Sequence, residues 1–379
     1  MYHSYWEKTV FLQNYDYLIL GSGIVGLSTA LSLKRKRPDA KIVIIERGYL
    51  PSGASTKNAG FACFGSISEL LKHERIEGTD SMLELVKLRY EGLSELRKNV
   101  PDSEMNYYHN GGFEVFIEKD TEVFEESVAN IDRINSLLKD AIGIDKTFSL
   151  RNDIIQKTGM KSINNIIYNS GEGQLNPGLM IQSLLLQVQK LGVTFLNGIE
   201  ISSIEEETGK VKLVAKSGTS VSGKKLIVTT NAFSKKLLPE LDIIPGRGQV
   251  VLTSVIPNLK IEGCYHYDEG YYYFRNLDGR VLMGGGRNLN FKAEETTEFG
   301  FTELVQSKLE ELLRKVVLPN IEFEIEYRWS GIMGFGAEIA PIIKQVRPGI
   351  FCAVRMSGMG IAIGSIVGKK VTELVLENE

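Results

Sequence analysis

The sequence predicts an α/β protein built on a parallel βαβ crossover, with a second, sheet-rich texture interleaved along the chain. Three observations carry this. A β-type run, a glycine turn, a helix and a second apolar run succeed one another between Tyr15 and Glu46. An aromatic, alternating stretch lies far from them, between Tyr265 and Arg287. Glycine-punctuated apolar sequence then returns near the C-terminus, so both textures recur and no single boundary divides the chain.

Taken in order, Tyr15-Asp16-Tyr17-Leu18-Ile19-Leu20 is the first strand and ends directly in Gly21-Ser22-Gly23-Ile24-Val25-Gly26. The helix Leu27 to Arg37 follows, with Leu27, Ala30, Leu31 and Leu33 at helical spacing. Basic residues in its last turn suit the negative end of the helix dipole. Pro38-Asp39 breaks the helix, and Lys41 to Glu46 is apolar enough to lie inside a parallel sheet. Pro51 to Gly65 reads as a loop rich in Gly, Ala and Ser, and Ser81 to Lys98 as a surface helix. Gly112 to Glu118 alternates like a strand, and a charged helix follows to about Ile142. Asn176-Pro177 caps a helix from Gly178 to Leu191. Val193 to Val228 holds short strands, Asp278-Gly279 marks a hairpin turn, and Ile361 to Leu376 closes the chain as a helix.

Composition narrows the function classes. Hydrophobic residues at 43% and charged residues at 24% argue against wholesale disorder and against a membrane channel. The 44 Lys plus Arg against 47 Asp plus Glu leave a charge of −3, so no nucleic-acid partner is expected. Cys63, Cys264 and Cys352 are too few and scattered for a disulfide framework or a tetrahedral metal site. His3, His73, His109 and His266 show no paired ligand spacing, so no metal is expected and each histidine reads as a surface or satisfied residue. Met1 to Asn14 lacks the pattern of a signal peptide, and the apolar stretch from Ile350 is broken by Arg355 and several glycines. A cytoplasmic location and no transmembrane segment are expected.

A glycine triplet alone says little, because 38 glycines in 379 residues supply about 0.4 such matches by chance. Here the triplet follows a strand, opens a helix, and is followed by Glu46 at the end of the next strand. Gly21 permits the tight turn, Gly23 lets a pyrophosphate approach the backbone, and Gly26 brings helix and strand close. The helix start at Ile24 and Val25 offers free N–H groups to phosphate. Glu46 can accept both ribose hydroxyls, and an acid there repels a 2′-phosphate, which disfavours NADP. The Gly53 to Gly60 loop offers hydroxyls and amides for a flavin half.

Beyond this point the chain resembles the FAD-dependent oxidoreductases grouped with D-amino-acid oxidase, glycine oxidase and sarcosine oxidase. The resemblance runs through Gly21 to Gly26, Ala30 and Leu33, the pair Glu46-Arg47, and a Gly53-Ala54-Ser55-Thr56-Lys57-Asn58-Ala59-Gly60 loop. It continues in Gly173-Gln174-Leu175-Asn176-Pro177, in Ile201 where the backbone would meet adenine, and in Thr229-Thr230-Asn231-Ala232, with Asn231 in place of glycine. Pro245-Gly246-Arg247-Gly248-Gln249 and the turn Met356-Ser357-Gly358-Met359-Gly360-Ile361 complete it, from residue 15 to about 375. It implies a Rossmann-like, glutathione-reductase-type FAD domain (1–105, 172–238 and 322–379) and an interleaved antiparallel-sheet substrate domain (106–171 and 239–321). The flavin ring would lie where they meet.

The implied reaction is hydride transfer from a C–H beside nitrogen to flavin N5, giving an imine that water hydrolyses. The Gly358 to Gly360 turn would set backbone amides and a helix N-terminus against charge on the reduced ring. Tyr271, Tyr273 and Arg275 alternate onto one strand face and would enclose substrate, or else form an aromatic face with a polar rim. Met333, two residues after Gly331, stands where the glycine oxidase branch has a carboxylate-clamping arginine, and methionine cannot form that bidentate pair. Either the substrate lacks an α-carboxylate or Arg275 or Arg287 binds it. Asn58 stands at a covalent-attachment histidine position, and neither Gly331 nor Met333 is cysteine, so the FAD is expected to be noncovalent. The sequence reading is therefore an FAD-dependent oxidoreductase of an amine or amino-acid derivative, passing electrons to oxygen, a quinone or an electron-transfer protein. An FAD-dependent 2-hydroxy-acid dehydrogenase and a catalytically impaired nucleotide-binding protein are its alternatives.

Overall fold

The computed structural model describes residues 3–379. The strand Tyr15–Leu20 (β1), the helix Ile24–Lys36 (α1) and the strand Ile42–Ile45 (β2) form the expected crossover, with β1 and β2 parallel. β1 also pairs in parallel with Ser220–Val228, which pairs in parallel with Ile350–Val354, and β2 pairs in parallel with Thr194–Leu196. Every residue of β2 is buried, as an apolar run covered on both faces requires. On one face α1, Pro177–Lys190 and the last helix, Gly360–Glu377, share a core of Leu27, Leu31, Leu184, Ile363 and Val367. The other face packs Leu18, Val43 and Leu226 against Leu213 of an antiparallel flap, Ile201–Glu207 and Lys210–Ala215.

Thr79–Asn99 is more than a surface helix. It buries Met82, Val86, Leu93 and Leu96, and a Cβ on Gly92 would stand 2.0 Å from the Ala362 carbonyl oxygen. The last helix is therefore held closely from two sides.

The second sheet has eight strands, in the order Ile325–Phe335, Ile244–Thr253, Arg280–Gly285, Tyr272–Leu277, Cys264–Tyr267, Gly112–Phe116, Asn165–Asn169 and Phe148–Leu150. It is antiparallel except between Cys264–Tyr267 and Gly112–Phe116, which run parallel because the chain returns to that edge from a distant segment. Gly112–Phe116 is buried throughout, so its central place overrides the alternation of its sequence. Asp278 and Gly279 both take positive φ (52° and 75°) and turn the expected hairpin. The expected boundary at residue 322 needs moving. Ile325–Phe335 pairs along its length with Ile244–Thr253, so the chain leaves the second sheet only after Phe335.

Candidate active site

The glycine loop is shaped by contact. A Cβ on Gly26 would stand 2.0 Å from the Gly21 carbonyl oxygen and 2.8 Å from Thr229 Oγ1, so only glycine lets α1 start this close to β1. Gly21 takes φ +106° at the end of β1. Gly23 caps α1 without a side chain, and the Ile24 N–H donates to Ser55 Oγ at 3.0 Å. An acceptor oxygen therefore already meets the positive end of α1, where a phosphate oxygen would be received. The Glu46 carboxylate is buried and accepts from Ser22 N–H (3.0 Å), Ser22 Oγ (2.8 Å) and Gly48 N–H (2.9 Å), which fixes it at the rim of the same loop. These features fit the adenosine diphosphate half of a dinucleotide.

The Gly53 to Gly60 segment closes on itself. Asn58 donates its amide to the Ala54 and Ser55 carbonyls (3.1 and 2.9 Å) and accepts the Gly60 N–H (2.8 Å). The Thr56 hydroxyl donates to the Pro51 carbonyl at 2.5 Å and so is spent inside the loop; a cofactor would meet only the backbone of Thr56. The Arg47 guanidinium lies 4.2 Å from the Phe233 ring centroid. Ile201 buries its side chain beneath the first sheet, which leaves its backbone for the expected contact.

A second turn closes the site from the C-terminal side. Asn231 takes φ 47°, which asparagine tolerates where a glycine was expected, and its Oδ1 accepts the N–H groups of Arg355 (3.0 Å) and Met356 (3.3 Å). The preceding Thr230 hydroxyl pairs with Ser234 Oγ at 2.9 Å. Arg355, Ser357 and Gly358 all have positive φ, a concentration of backbone strain typical of functional turns. Arg355 is buried and bonded to Asp242, Glu338 and the Ala340 carbonyl, so it braces this turn; nothing in its local sequence signals that role. Met359 then caps the helix that begins at Gly360 and Ile361, with no side-chain hydrogen bond to its N-terminus among the described residues. A Cβ on Gly331 would meet Lys57 Cβ at 3.2 Å, and the Trp329 indole donates to the Lys57 carbonyl at 2.9 Å, which locks the 53–60 loop onto the second sheet.

The substrate-facing residues separate. Tyr273 packs edge-on to Phe61 (5.4 Å), over Gly284, and burial pushes its phenol up to about 12. Tyr271 precedes the strand, which starts at Tyr272. Its ring meets Phe291 edge-on at 6.0 Å, the same ring that the Arg287 guanidinium faces, which puts Tyr271 in the neighbourhood of Arg287. Arg275 is buried and donates Nε to the Ala59 carbonyl (2.6 Å) and Nη2 to the Leu175 carbonyl (3.2 Å). It is a strut between the second sheet and the FAD loop.

Arg287 differs. Its guanidinium lies 4.0 Å from the Phe335 centroid and 4.7 Å from that of Phe291, with no carboxylate paired to it among the described residues. Burial pulls its pKa down. Its Cδ stands 3.5 Å from the Cβ position of Gly246, while Met333 Cε stands 2.9 Å from that of Gly248 and Met333 Sδ 3.8 Å from that of Gly358. Gly246 pairs with Met333 across the strands, so Arg287 and Met333 share one sheet face beside the closing turn.

Spacing missed one convergence. Cys63, Glu172 and His266, from three separate segments, bring a sulfur, a carboxylate oxygen and a ring nitrogen within 4.8 Å of one another. His266 is thus not a surface residue; its buried Nε2 lies 3.3 Å from Glu172 Oε2. Among the described residues no helix is long and apolar enough to cross a membrane.

The sequence model of one family, described as FAD dependent oxidoreductase (DAO), matches residues 16–374. A relative from Rhizobium meliloti (strain 1021), "Probable oxidoreductase OrdL", is 23% identical over 377 residues, which cover 95% of this chain and 83% of that protein. Glycine oxidase of Bacillus licheniformis is 21% identical over 97% of this chain and 94% of its own. Among solved structures, L-proline dehydrogenase from P. horikoshii superposes with a TM-score of 0.76 at 15% identity, over 97% of this chain and 94% of that one.

Proposed function

Because the chain belongs to the DAO family of FAD-dependent oxidoreductases, we propose that it oxidises a small amine that carries a carboxylate, such as an amino-acid derivative. The observation that supports this most is Arg287, a half-buried cation held between two aromatic rings, without a protein anion, on the same face as Met333. A desolvated guanidinium is costly unless an anion meets it, and its planar fork suits a carboxylate. Arg287 would then do the work that Met333 cannot, and Arg275, engaged with two carbonyls, would not compete for the ligand.

In this reading Gly21 to Gly26, Glu46 and the Ser55 to Gly60 backbone hold the dinucleotide half of FAD, and the Asn231 and Gly358 turns border the ring. Bound FAD supplies a hydride acceptor for a C–H beside nitrogen, which leaves an imine for water to hydrolyse. The chain's own contribution is positional. Arg287 fixes the carboxylate end, Tyr273 and Met333 shape the wall, and the start of the Gly360–Glu377 helix offers its positive end to negative charge near it. The names of glycine oxidase and L-proline dehydrogenase are in line with amine oxidation. Oxygen, a quinone or an electron-transfer protein would take the electrons onward.

The test is a visible spectrum of the purified protein followed by anaerobic addition of amino acids, N-substituted amino acids, simple amines and 2-hydroxy acids. Bleaching by carboxylated amines supports the proposal, and release of the yellow colour on acid precipitation supports noncovalent FAD. Bleaching only by hydroxy acids moves the activity to C–O oxidation. Flavin that no donor bleaches, while dithionite does, marks a catalytically impaired protein.

A further inference from the structure

Apart from the flavin cradle, three side chains with ligating atoms meet in the interior. Cys63 follows the short strand Phe61–Ala62, Glu172 precedes Gly173–Gln174, which pairs with it, and His266 comes from the second sheet. Their donor atoms all lie within 4.8 Å of one another. His266 Nε2 and Glu172 Oε2 are 3.3 Å apart. Two ligands about 2.0–2.1 Å from a tetrahedral zinc ion stand about 3.3 Å from each other.

The pair is not simply hydrogen-bonded. His266 Nε2 is buried 3.3 Å from Glu172 Oε2 and is not in a well-aligned hydrogen bond with it. Buried ring nitrogens this close to an acceptor ordinarily align with it, and an unaligned one calls for another partner. Glu172 is held for ligation by its other oxygen, which accepts the Phe64 and Gly65 N–H groups, each at 3.1 Å. Charge points the same way. Glu172 and Glu114 are both buried here, and the nearby buried cation, Arg89, is already bonded to Glu69 at 2.9 Å and to the Phe64 carbonyl. A cavity of about 10 Å³, lined by Glu114, Glu172 and His266 but not by Cys63, lies beside the cluster and is about large enough for one water.

We infer that Cys63, Glu172 and His266 form a binding site for one zinc-type divalent cation. Thiolate and imidazole together select a borderline-soft ion over magnesium or calcium. Binding forms bonds to Cys63 Sγ, Glu172 Oε2 and His266 Nε2 and releases the thiol proton to solvent, with no change in oxidation state. The ion would pin the loop after Phe61 onto the second sheet, a structural role separate from the flavin chemistry.

The experiment takes the flavoprotein as purified, removes metal with a chelator, adds Zn²⁺ or Co²⁺, desalts, and measures metal per chain. About one ion per chain is expected, falling at least fivefold in Cys63→Ser and His266→Gln, with flavin content serving as the check on folding. Co²⁺ should give a thiolate charge-transfer band and tetrahedral visible bands that Cys63→Ser lacks. Wild-type protein that retains metal in fewer than about one chain in ten overturns the inference and leaves a His266–Glu172 pair alone. Undiminished metal in both folded variants overturns it equally. Should neither variant fold, the wild-type Co²⁺ spectrum decides, since absence of the thiolate band overturns the site.

Discussion

Replacing Gly26 by alanine tests the cofactor assignment with a single methyl group. The new Cβ would start 2.0 Å from the Gly21 carbonyl oxygen and 2.8 Å from Thr229 Oγ1. To reach an ordinary contact of about 3.2 Å, α1 would have to retreat from β1 by about 1.2 Å. It has no room to do so, because a Cβ on Gly368 would already stand 2.7 Å from Ser28 Cβ and 2.8 Å from Thr29 N, so the last helix closes the other side. Overpacking of this kind costs about 1–3 kcal/mol of stability. The same shift carries the first-turn N–H groups away from a phosphate. Hydrogen bonds to a charged partner contribute about 1.5–3 kcal/mol each, so losing one or two weakens FAD binding by about 10- to 10⁴-fold. The measurement is FAD per chain after desalting, with a Kd from quenching of flavin fluorescence on titration into apoprotein. Gly53→Ala is the control, since no atom lies within 4 Å of its Cβ position in the neighbouring loop. Gly26→Ala binding FAD within threefold of wild type, with unchanged Tm, would refute the reasoning.

Other consequences are open to direct measurement. Arg287→Gln should raise the Kd of a carboxylated donor, read from anaerobic flavin bleaching, by about 10- to 100-fold through loss of a charge-assisted pair. FAD content should stay unchanged, and an equal effect on donors without a carboxylate would sink the assignment. Asn231→Ala should cost about 2–4 kcal/mol by denaturant unfolding, from a left-handed backbone at φ 47° and two lost bonds to the Arg355 and Met356 N–H groups. Asn231→Gly should restore only the backbone share; a neutral Asn231→Ala would show that the turn is not strained. All three thiols are buried, and burial pushes Cys352 up to about 11 and Cys63 well above its usual range. At pH 8 the native protein should react with no thiol reagent while the denatured chain shows three groups, and a fast native phase would contradict this.

What the sequence disclosed was local. The βαβ crossover was readable because strand, turn, helix and acid occupy one short stretch and each carries its own signal, as in Gly26 packed on Gly21. Asn231 was placed at a glycine position by the resemblance alone, and the structure supplies the reason, since asparagine is among the few residues that accept its positive φ. The hidden features depend on partners far apart in the chain. Arg275 alternates correctly with Tyr273, yet its role was decided by the carbonyls of Ala59 and Leu175, which no spacing rule can place. The Cys63, Glu172 and His266 convergence joins three segments, and sequence spacing is silent on such a meeting. The boundary at 322 failed because Ile325–Phe335 carries the textures of both sheets and only its pairing with Ile244–Thr253 assigns it.

The interleaving also dictates how this chain can be made. β1 gains its neighbour Ser220–Val228 only after a long intervening stretch has been made, and that strand gains Ile350–Val354 after another. Gly112–Phe116 likewise waits for Cys264–Tyr267 before its edge is covered. Neither half can finish until these distant strands have been made, so translation leaves unpaired strand edges exposed in the interval. Truncated genes ending before residue 350 should therefore yield aggregates rather than an isolated working module, and dissection of this protein calls for circular permutation or point changes instead of deletion.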